Sequence, residues 1–299
     1  MTTVDYNGDS LSKLSLGTVQ FGLDYGIANE TGQPTIQKVK NIIDFVLESG
    51  INCFDTASAY GNSEKVLGEV LNKDKQSYII SKLSSDDFIQ DFENNVDQSI
   101  QKLNVKSLYA ILLHDSKLLS NWDKAFDGSI TKLIDLKKIK YFGVSIYTED
   151  DFNNALGNDA ITFIQVPFNI FDQRAIKYNW FQRAKEKNKL IFIRSVYLQG
   201  LVFMDKDSLP ANLQKAGNYL DILKSYCETL DVATGTLALS FVNSVAKESI
   251  VLFGCDSLVQ AQQNIDAFNK LEYLTNSVIS EIYESFKDVP EDIFNPTKW

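Results

Sequence analysis

Eight short apolar runs recur along the 299 residues with amphipathic segments between them, and no other feature constrains the fold as strongly. The runs are SLGT (15–18), INCFDT (51–56), YIISKL (78–83), LYAILLH (108–114), KYFGVS (140–145), TFIQV (162–166), LIFIRS (190–195) and SIVLFG (249–254). Each has the length of a strand, and most are apolar throughout, as in a parallel sheet covered on both sides. Between them, Val39, Ile42, Ile43, Val46 and Leu47 fall on one helical face, as do Phe92, Val96, Ile100 and Leu103. Alternating strand and helix gives either a doubly wound sheet or a closed barrel, and eight repeats in a chain of this length favour the barrel. The expectation is an α/β chain folded as a single-domain (β/α)8 TIM barrel over residues 1–299, with an N-terminal β-hairpin and an extra C-terminal helix and tail. Asn7-Gly8 supplies the turn of a hairpin within residues 1–12. Residues 198–218 and 274–299 stand outside the repeat, and the tail VPEDIFNPTKW is expected over one mouth of the barrel.

Composition narrows the chemistry. Hydrophobic residues at 44% and charged residues at 23% suit a globular chain with a sizeable core. A net charge of −10 without clustered Lys or Arg excludes nucleic acid as a natural partner and disfavours an anionic membrane surface. No run approaches the ~18 apolar residues of a membrane span, so the default expectation is a cytoplasmic location. Cys53, Cys227 and Cys255 are an odd number at wide spacing and read as reduced packing thiols. The chain has a single histidine, which makes a barrel metal site built on several imidazoles improbable. Lys137, Lys138 and Lys140 read as a solvated helix end, and Glu64 and Glu69 as capping and surface residues.

In a barrel of this kind, reactive groups sit at the carboxyl ends of the strands. The second run ends on Asp55 and leads to Tyr60, the third ends near Lys82, and the fourth on His114. Taken singly, each has a structural reading: a helix cap, a packing tyrosine, a solvated lysine, a core histidine. Together they form a proton-donating unit. A phenol with a pKa near ~10 is a weak acid at neutral pH unless a cation stabilises its phenolate, and a carboxylate keeps such a cation charged. Asp55, Lys82 and Tyr60 suit those roles, with His114 to hydrogen-bond a substrate oxygen.

The segments GINCFDTASAYGNSEKVLGEVL, IISKL and ILLHDS resemble the aldo-keto reductases, and the resemblance runs from LSLGTVQFG (14–22) to GCDSLVQAQQNI (254–265). It implies Asp55, Tyr60, Lys82 and His114 as the catalytic tetrad, NADPH or NADH as the cofactor, and a monomer. It also places Gly17 and Thr18 beneath the nicotinamide ribose and Ser145 and Gln165 on the carboxamide, and counts Asp55 among the cofactor contacts. Arg194 stands where many relatives carry a ring-stacking aromatic residue. Ser195, Gln199 and Gly200 are implied to approach the pyrophosphate, and Gly254, Asp256, Gln260, Gln263 and Asn264 to line the adenosine end. Two departures stand out. Ile146 follows Ser145 where relatives have asparagine, and Asp256, Gln260 and Gln263 replace the Lys or Arg that grips a 2′-phosphate. A carboxylate repels phosphate but accepts hydrogen bonds from free ribose hydroxyls, which brings NADH close to NADPH.

The function these residues imply is NAD(P)H-dependent, reversible reduction of a small-molecule aldehyde or ketone with Tyr60 as general acid. The alternative is a cofactor-binding regulatory or interaction subunit with little turnover. An isomerase or lyase is disfavoured, because LQGL and FGCDS are poor in glycine. Tyr25 and Asn29, in the 22–32 segment, are expected near the mouth and favour a polar, hydroxylated substrate.

Overall fold

The computed structural model describes residues 1–29, 31–270 and 272–299; Glu30, inside the 22–32 segment, lies outside the described residues. Eight parallel strands close a barrel: β3 (Leu14–Gly17), β4 (Cys53–Asp55), β5 (Tyr78–Leu83), β6 (Leu108–Leu113), β7 (Ile139–Ser145), β8 (Phe163–Pro167), β9 (Leu190–Arg194) and β10 (Ile250–Gly254). Each pairs with its sequence neighbour, and β10 returns to β3. The apolar runs thus become strands, with ends shifted by one or two residues. The fourth run is one residue shorter as a strand, yet the amide of His114 still donates to the Leu83 carbonyl at 2.7 Å.

Strands β1 (Thr3–Tyr6) and β2 (Asp9–Ser12) form the expected antiparallel hairpin. Asn7 and Gly8 both take positive φ, 49° and 89°, which a two-residue hairpin turn requires. This hairpin plugs the amino-terminal end of the barrel. Tyr6 packs edge-on against Tyr141 and Phe163 at 5.4 and 5.5 Å, and Leu11 is wholly buried. Lys140, from the basic cluster, pairs with Asp9 of the hairpin at 2.5 Å, and Lys138 pairs with Glu93 and Asp97. With that end filled, a large cavity opens at the other.

Helices α1 (Ile36–Glu48), α2 (Ser63–Val70), α3 (Ser85–Leu103), α4 (Ala125–Asp135), α5 (Glu149–Gly157), α6 (Arg174–Lys177) and α7 (Trp180–Glu186) cover the outside between strands. Their starts follow local chemistry: the side chains of Thr35, Ser84 and Thr148 each accept a first-turn amide. Between β9 and β10 the chain is more elaborate than a single crossover helix. Three 3-10 turns span residues 198–216 and lead into α8 (Gly217–Leu230) and α9 (Thr234–Val245). Helix α10 (Leu258–Asn269) completes the ring. The chain then adds α11 (Asn276–Phe286), the short α12 (Glu291–Phe294) and a tail whose Pro296 and Thr297 reach the cavity, in the place expected for it.

Glu64 departs from its expected surface position. It is only 2% exposed, because α2 lies close against α3: a Cβ at Gly68 would stand 2.4 Å from the Lys102 carbonyl. The Glu64 carboxylate accepts from Ser81 at 2.6 Å, with the Lys102 ammonium 3.8 Å away. Glu69 is exposed, as expected.

A second close approach sets the turn that carries Tyr60. A Cβ on Gly22 would lie 1.8 Å from the Tyr60 carbonyl, and one on Gly61, at φ 56°, would lie 2.3 Å from the Gly22 carbonyl. Only hydrogen fits at either position. Gly22→Ala must push the Tyr60 turn outward and is expected to lower stability by about 1–3 kcal/mol, the range for overpacking. Urea unfolding checks this, and an unchanged midpoint contradicts it.

Candidate active site

The centre of the site is an ion pair sealed from water. Asp55, the last residue of β4, is 3% exposed, and Lys82, on β5, is 0% exposed. The Lys82 ammonium donates to Asp55 Oδ1 at 2.5 Å and to the Thr56 carbonyl at 2.9 Å. The other carboxylate oxygen accepts from Gln165 Nε2 at 2.8 Å. Gln165, on β8, thereby turns its amide away from water on one side and leaves Oε1 for the cavity it lines. Its register partner is Ser145, at the end of β7.

Burial works against the charge on Lys82. The Asp55 carboxylate, with Tyr60, outweighs that penalty and holds its pKa above the usual lysine value. The ammonium lies 5.1 Å from the centre of the Tyr60 ring. Burial, reinforced by the Asp55 carboxylate, holds the Tyr60 phenol above its ordinary value, and the charges of Lys82 and Arg194 offset only part of that rise. The His114 ring meets Tyr60 edge-on at 5.4 Å. Burial, reinforced by the Lys82 and Arg194 charges, lowers His114 to about 4, so its imidazole is neutral at physiological pH. The four strand-end residues singled out in the sequence therefore converge, with one acid–base pair buried and two polar rings facing the cavity.

A hydroxyl network lies behind them that the sequence did not announce. The amide and hydroxyl of Thr18 both donate to the Asp55 carbonyl, at 2.9 and 3.0 Å. Ser63 Oγ lies 2.7 Å from the Thr18 carbonyl and 3.2 Å from Thr56 Oγ1. Thr18 thus turns its hydroxyl into the wall and steadies the end of β4. Gly17 and Thr18 still contribute to the cavity lining.

The cavity encloses about 1110 Å³ and runs from Tyr60 and His114 past β9 and β10 to the start of α10. Every residue expected to contact a cofactor lies along it, including Ser195, Gln199, Gly200, Gly254, Asp256, Gln260, Gln263 and Asn264. Arg194 projects into it and lies 4.1 Å from the centre of the Tyr147 ring, with Nη2 donating to the Ile146 carbonyl at 3.0 Å. Tyr147 carries no sequence signal of its own. Ser195, Leu198 and Gln199 take positive φ, and this strained turn meets the loop after β3: Gly26 approaches the Gln199 carbonyl, and Gly200 leaves no room for a Cβ beside Ala28. At the far end Gln260 folds back to accept the Asp256 amide at 3.0 Å. Asn264 donates to the Gln260 carbonyl at 2.8 Å, and its Oδ1 is a buried acceptor without a partner among the described residues. Tyr25 and Asn29 line the mouth. Lys270, which the sequence reading passed over, stands on the same wall as Asn264.

A family model described as the aldo/keto reductase family matches residues 13–286. The uncharacterised oxidoreductase YqkF of Bacillus subtilis is 20% identical over 282 residues, which cover 87% of this chain and 88% of that protein. The fold is similar to that of aldo-keto reductase AKR11C1 from Bacillus halodurans in its holo form, with a TM-score of 0.79 at 19% identity over 100% and 99% of the two chains. It is also similar to an aldo/keto reductase of Klebsiella pneumoniae solved with NADP and acetate, with a TM-score of 0.71 at 17% identity over 95% of each chain. With the family match spanning nearly the whole chain, and with a closed barrel of the corresponding fold, the chain belongs to the aldo/keto reductase family of nicotinamide-dependent oxidoreductases.

Proposed function

We propose that the protein reduces the carbonyl of a small aldehyde or ketone to the alcohol, reversibly, with NADH or NADPH in the cavity and Tyr60 as the proton donor. The buried Asp55–Lys82 pair carries this reading, because it sets a fixed positive charge beside a phenol that faces an open cavity. The residues present suit a dinucleotide. Ser145 and the Oε1 of Gln165, register partners at the cavity wall, would meet a carboxamide, and the orphaned Oδ1 of Asn264 suits the amino group of adenine. The turn through Ser195, Gln199 and Gly200 would pass over the pyrophosphate. At the adenosine end Asp256 favours free ribose hydroxyls, and Lys270 is the cation that would answer a 2′-phosphate.

The cofactor, when bound, supplies a hydride to the carbonyl carbon. This chain supplies the rest. His114, neutral, hydrogen-bonds the carbonyl oxygen and orients it toward Tyr60. Charge builds on that oxygen as the carbon is reduced, and the Tyr60 hydroxyl gives up its proton to it. The phenolate left behind is stabilised by Lys82, which Asp55 keeps charged. The alcohol thus carries the hydride on carbon and the phenolic proton on oxygen.

Removing only the proton donor separates chemistry from binding. Tyr60→Phe is expected to lower kcat by at least roughly 100-fold, the scale of general acid catalysis. Titration of the same variant with NADH and NADPH should leave the preferred cofactor's Kd within about threefold of the wild-type value. A Tyr60→Phe protein that reduces a panel of aldehydes and ketones at the wild-type rate contradicts the assignment. If the cofactor binds and wild type reduces none of the panel, the low-turnover regulatory reading gains.

The depressed pKa of His114 predicts a second result. The folded value, about 4, lies below the ordinary 6.5, so the imidazole's contribution to stability is complete above 6.5 and is lost as pH falls through 4. Urea midpoints should fall more steeply across that window in wild type than in His114→Gln. The kcat/KM profile should show no inflection near pH 6.5. Parallel stability slopes, or an imidazole inflection at its ordinary position, count against a neutral His114.

A further inference from the structure

The chain has three arginines, and two are answered by carboxylates: Arg174 by Asp172 and Arg183 by Glu149. Arg194 is in no ion pair among the described residues. It is nonetheless held in place, between the Tyr147 ring at 4.1 Å, the Ile146 carbonyl at 3.0 Å and Ser195 Oγ at 3.4 Å. The carboxylate closest to the reacting groups, Asp55, is already taken up by Lys82 and Gln165. The positive charge of Arg194 is therefore uncompensated at the inner end of the cavity, where it is felt by Tyr25, Tyr60 and His114.

We propose that Arg194 makes the site discriminate between the two oxidation states of the nicotinamide, holding the reduced cofactor more tightly than the oxidised one. The inference rests on the nicotinamide reading given above. A ring held by Ser145 and Gln165 would lie beside β9, whose last residue, Arg194, is in register with Pro167 of β8. The reduced ring is neutral, and the oxidised ring carries a positive charge. An aromatic side chain at this position attracts a cationic ring through its π face, whereas a guanidinium repels it. Arginine does not lose its proton in the working pH range, so the discrimination persists across it. The consequence is directional. The protein takes reduced cofactor from a mixed pool and lets the oxidised form go, which suits carbonyl reduction over alcohol oxidation and weakens inhibition by the oxidised product.

The test is a set of Kd values for NADH, NAD⁺, NADPH and NADP⁺, measured by calorimetry on wild type, Arg194→Gln, Arg194→Tyr and Arg194→Lys. Within the preferred cofactor pair, wild type should bind the reduced form more tightly. Arg194→Gln should narrow the ratio by on the order of tenfold, chiefly by tighter binding of the oxidised form. Arg194→Tyr should narrow it further, and Arg194→Lys, which keeps the charge, should preserve it. Binding of the reduced form reports that each variant is folded. Equal affinities in wild type, or a ratio that Arg194→Gln and Arg194→Tyr leave untouched, overturn the role of Arg194. If wild type binds none of the four dinucleotides, the nicotinamide reading itself falls and the inference goes with it.

Discussion

The contact between the Lys82 ammonium and the Asp55 carboxylate, shut away from solvent, is the constraint on which the rest depends. Withdrawing each charge from water costs several kcal/mol, and the pair survives only if its geometry and its further hydrogen bonds offset that cost. Here they come from three separate strands and a loop: Asp55 ends β4, Lys82 belongs to β5, Gln165 to β8, and the Thr56 carbonyl follows β4. Lys82 meets Asp55 and Thr56 once β4 and β5 pair, but Gln165 reaches the same carboxylate from β8 only when the barrel has closed. Closure therefore completes the set of hydrogen bonds that holds the buried pair. The opposite end is filled by a hairpin anchored by Tyr6 and Leu11, so the cavity opens at the end where the pair lies.

Around that pair the molecule divides its labour. Thr18, Thr56 and Ser63 bond to one another and to the Asp55 carbonyl, so the wall is stiff where the carboxylate emerges. Gly22 and Gly61 let two loops touch at backbone distance, and that contact sets the height of Tyr60 above Lys82. Tyr60 and His114 can then differ in kind although they touch. One is a phenol biased by a cation, and the other is an imidazole kept neutral by burial and by the same cation.

Much of this was legible in the chain. Strands show because a two-sided sheet demands unbroken apolar runs, and their ends show because the runs stop on Asp55, near Lys82 and at His114. The hairpin was visible in Asn7-Gly8, since few dipeptides accept two positive φ angles. What escaped depends on contacts distant in sequence. Glu64 looks like a surface residue until α2 is pressed onto α3 and Ser81 arrives from β5. Helices α8 and α9 follow a stretch of 3-10 turns whose spacing has no single period to read. The hydroxyl of Thr18 and the amide of Gln260 turn to backbone partners that no local pattern names, and Arg194 rests on Tyr147, which the pattern around Ser145 does not single out.

The claim that Lys82 tunes Tyr60 can be measured without turnover. In protein labelled with ¹³C at the tyrosine ζ carbon, the Tyr60 resonance, identified by its loss in Tyr60→Phe, is followed against pH in wild type and in Lys82→Met. The account predicts that the phenol begins to ionise at lower pH in wild type and that its titration moves upward once the ammonium is gone. Superimposable titrations in the two proteins would contradict it.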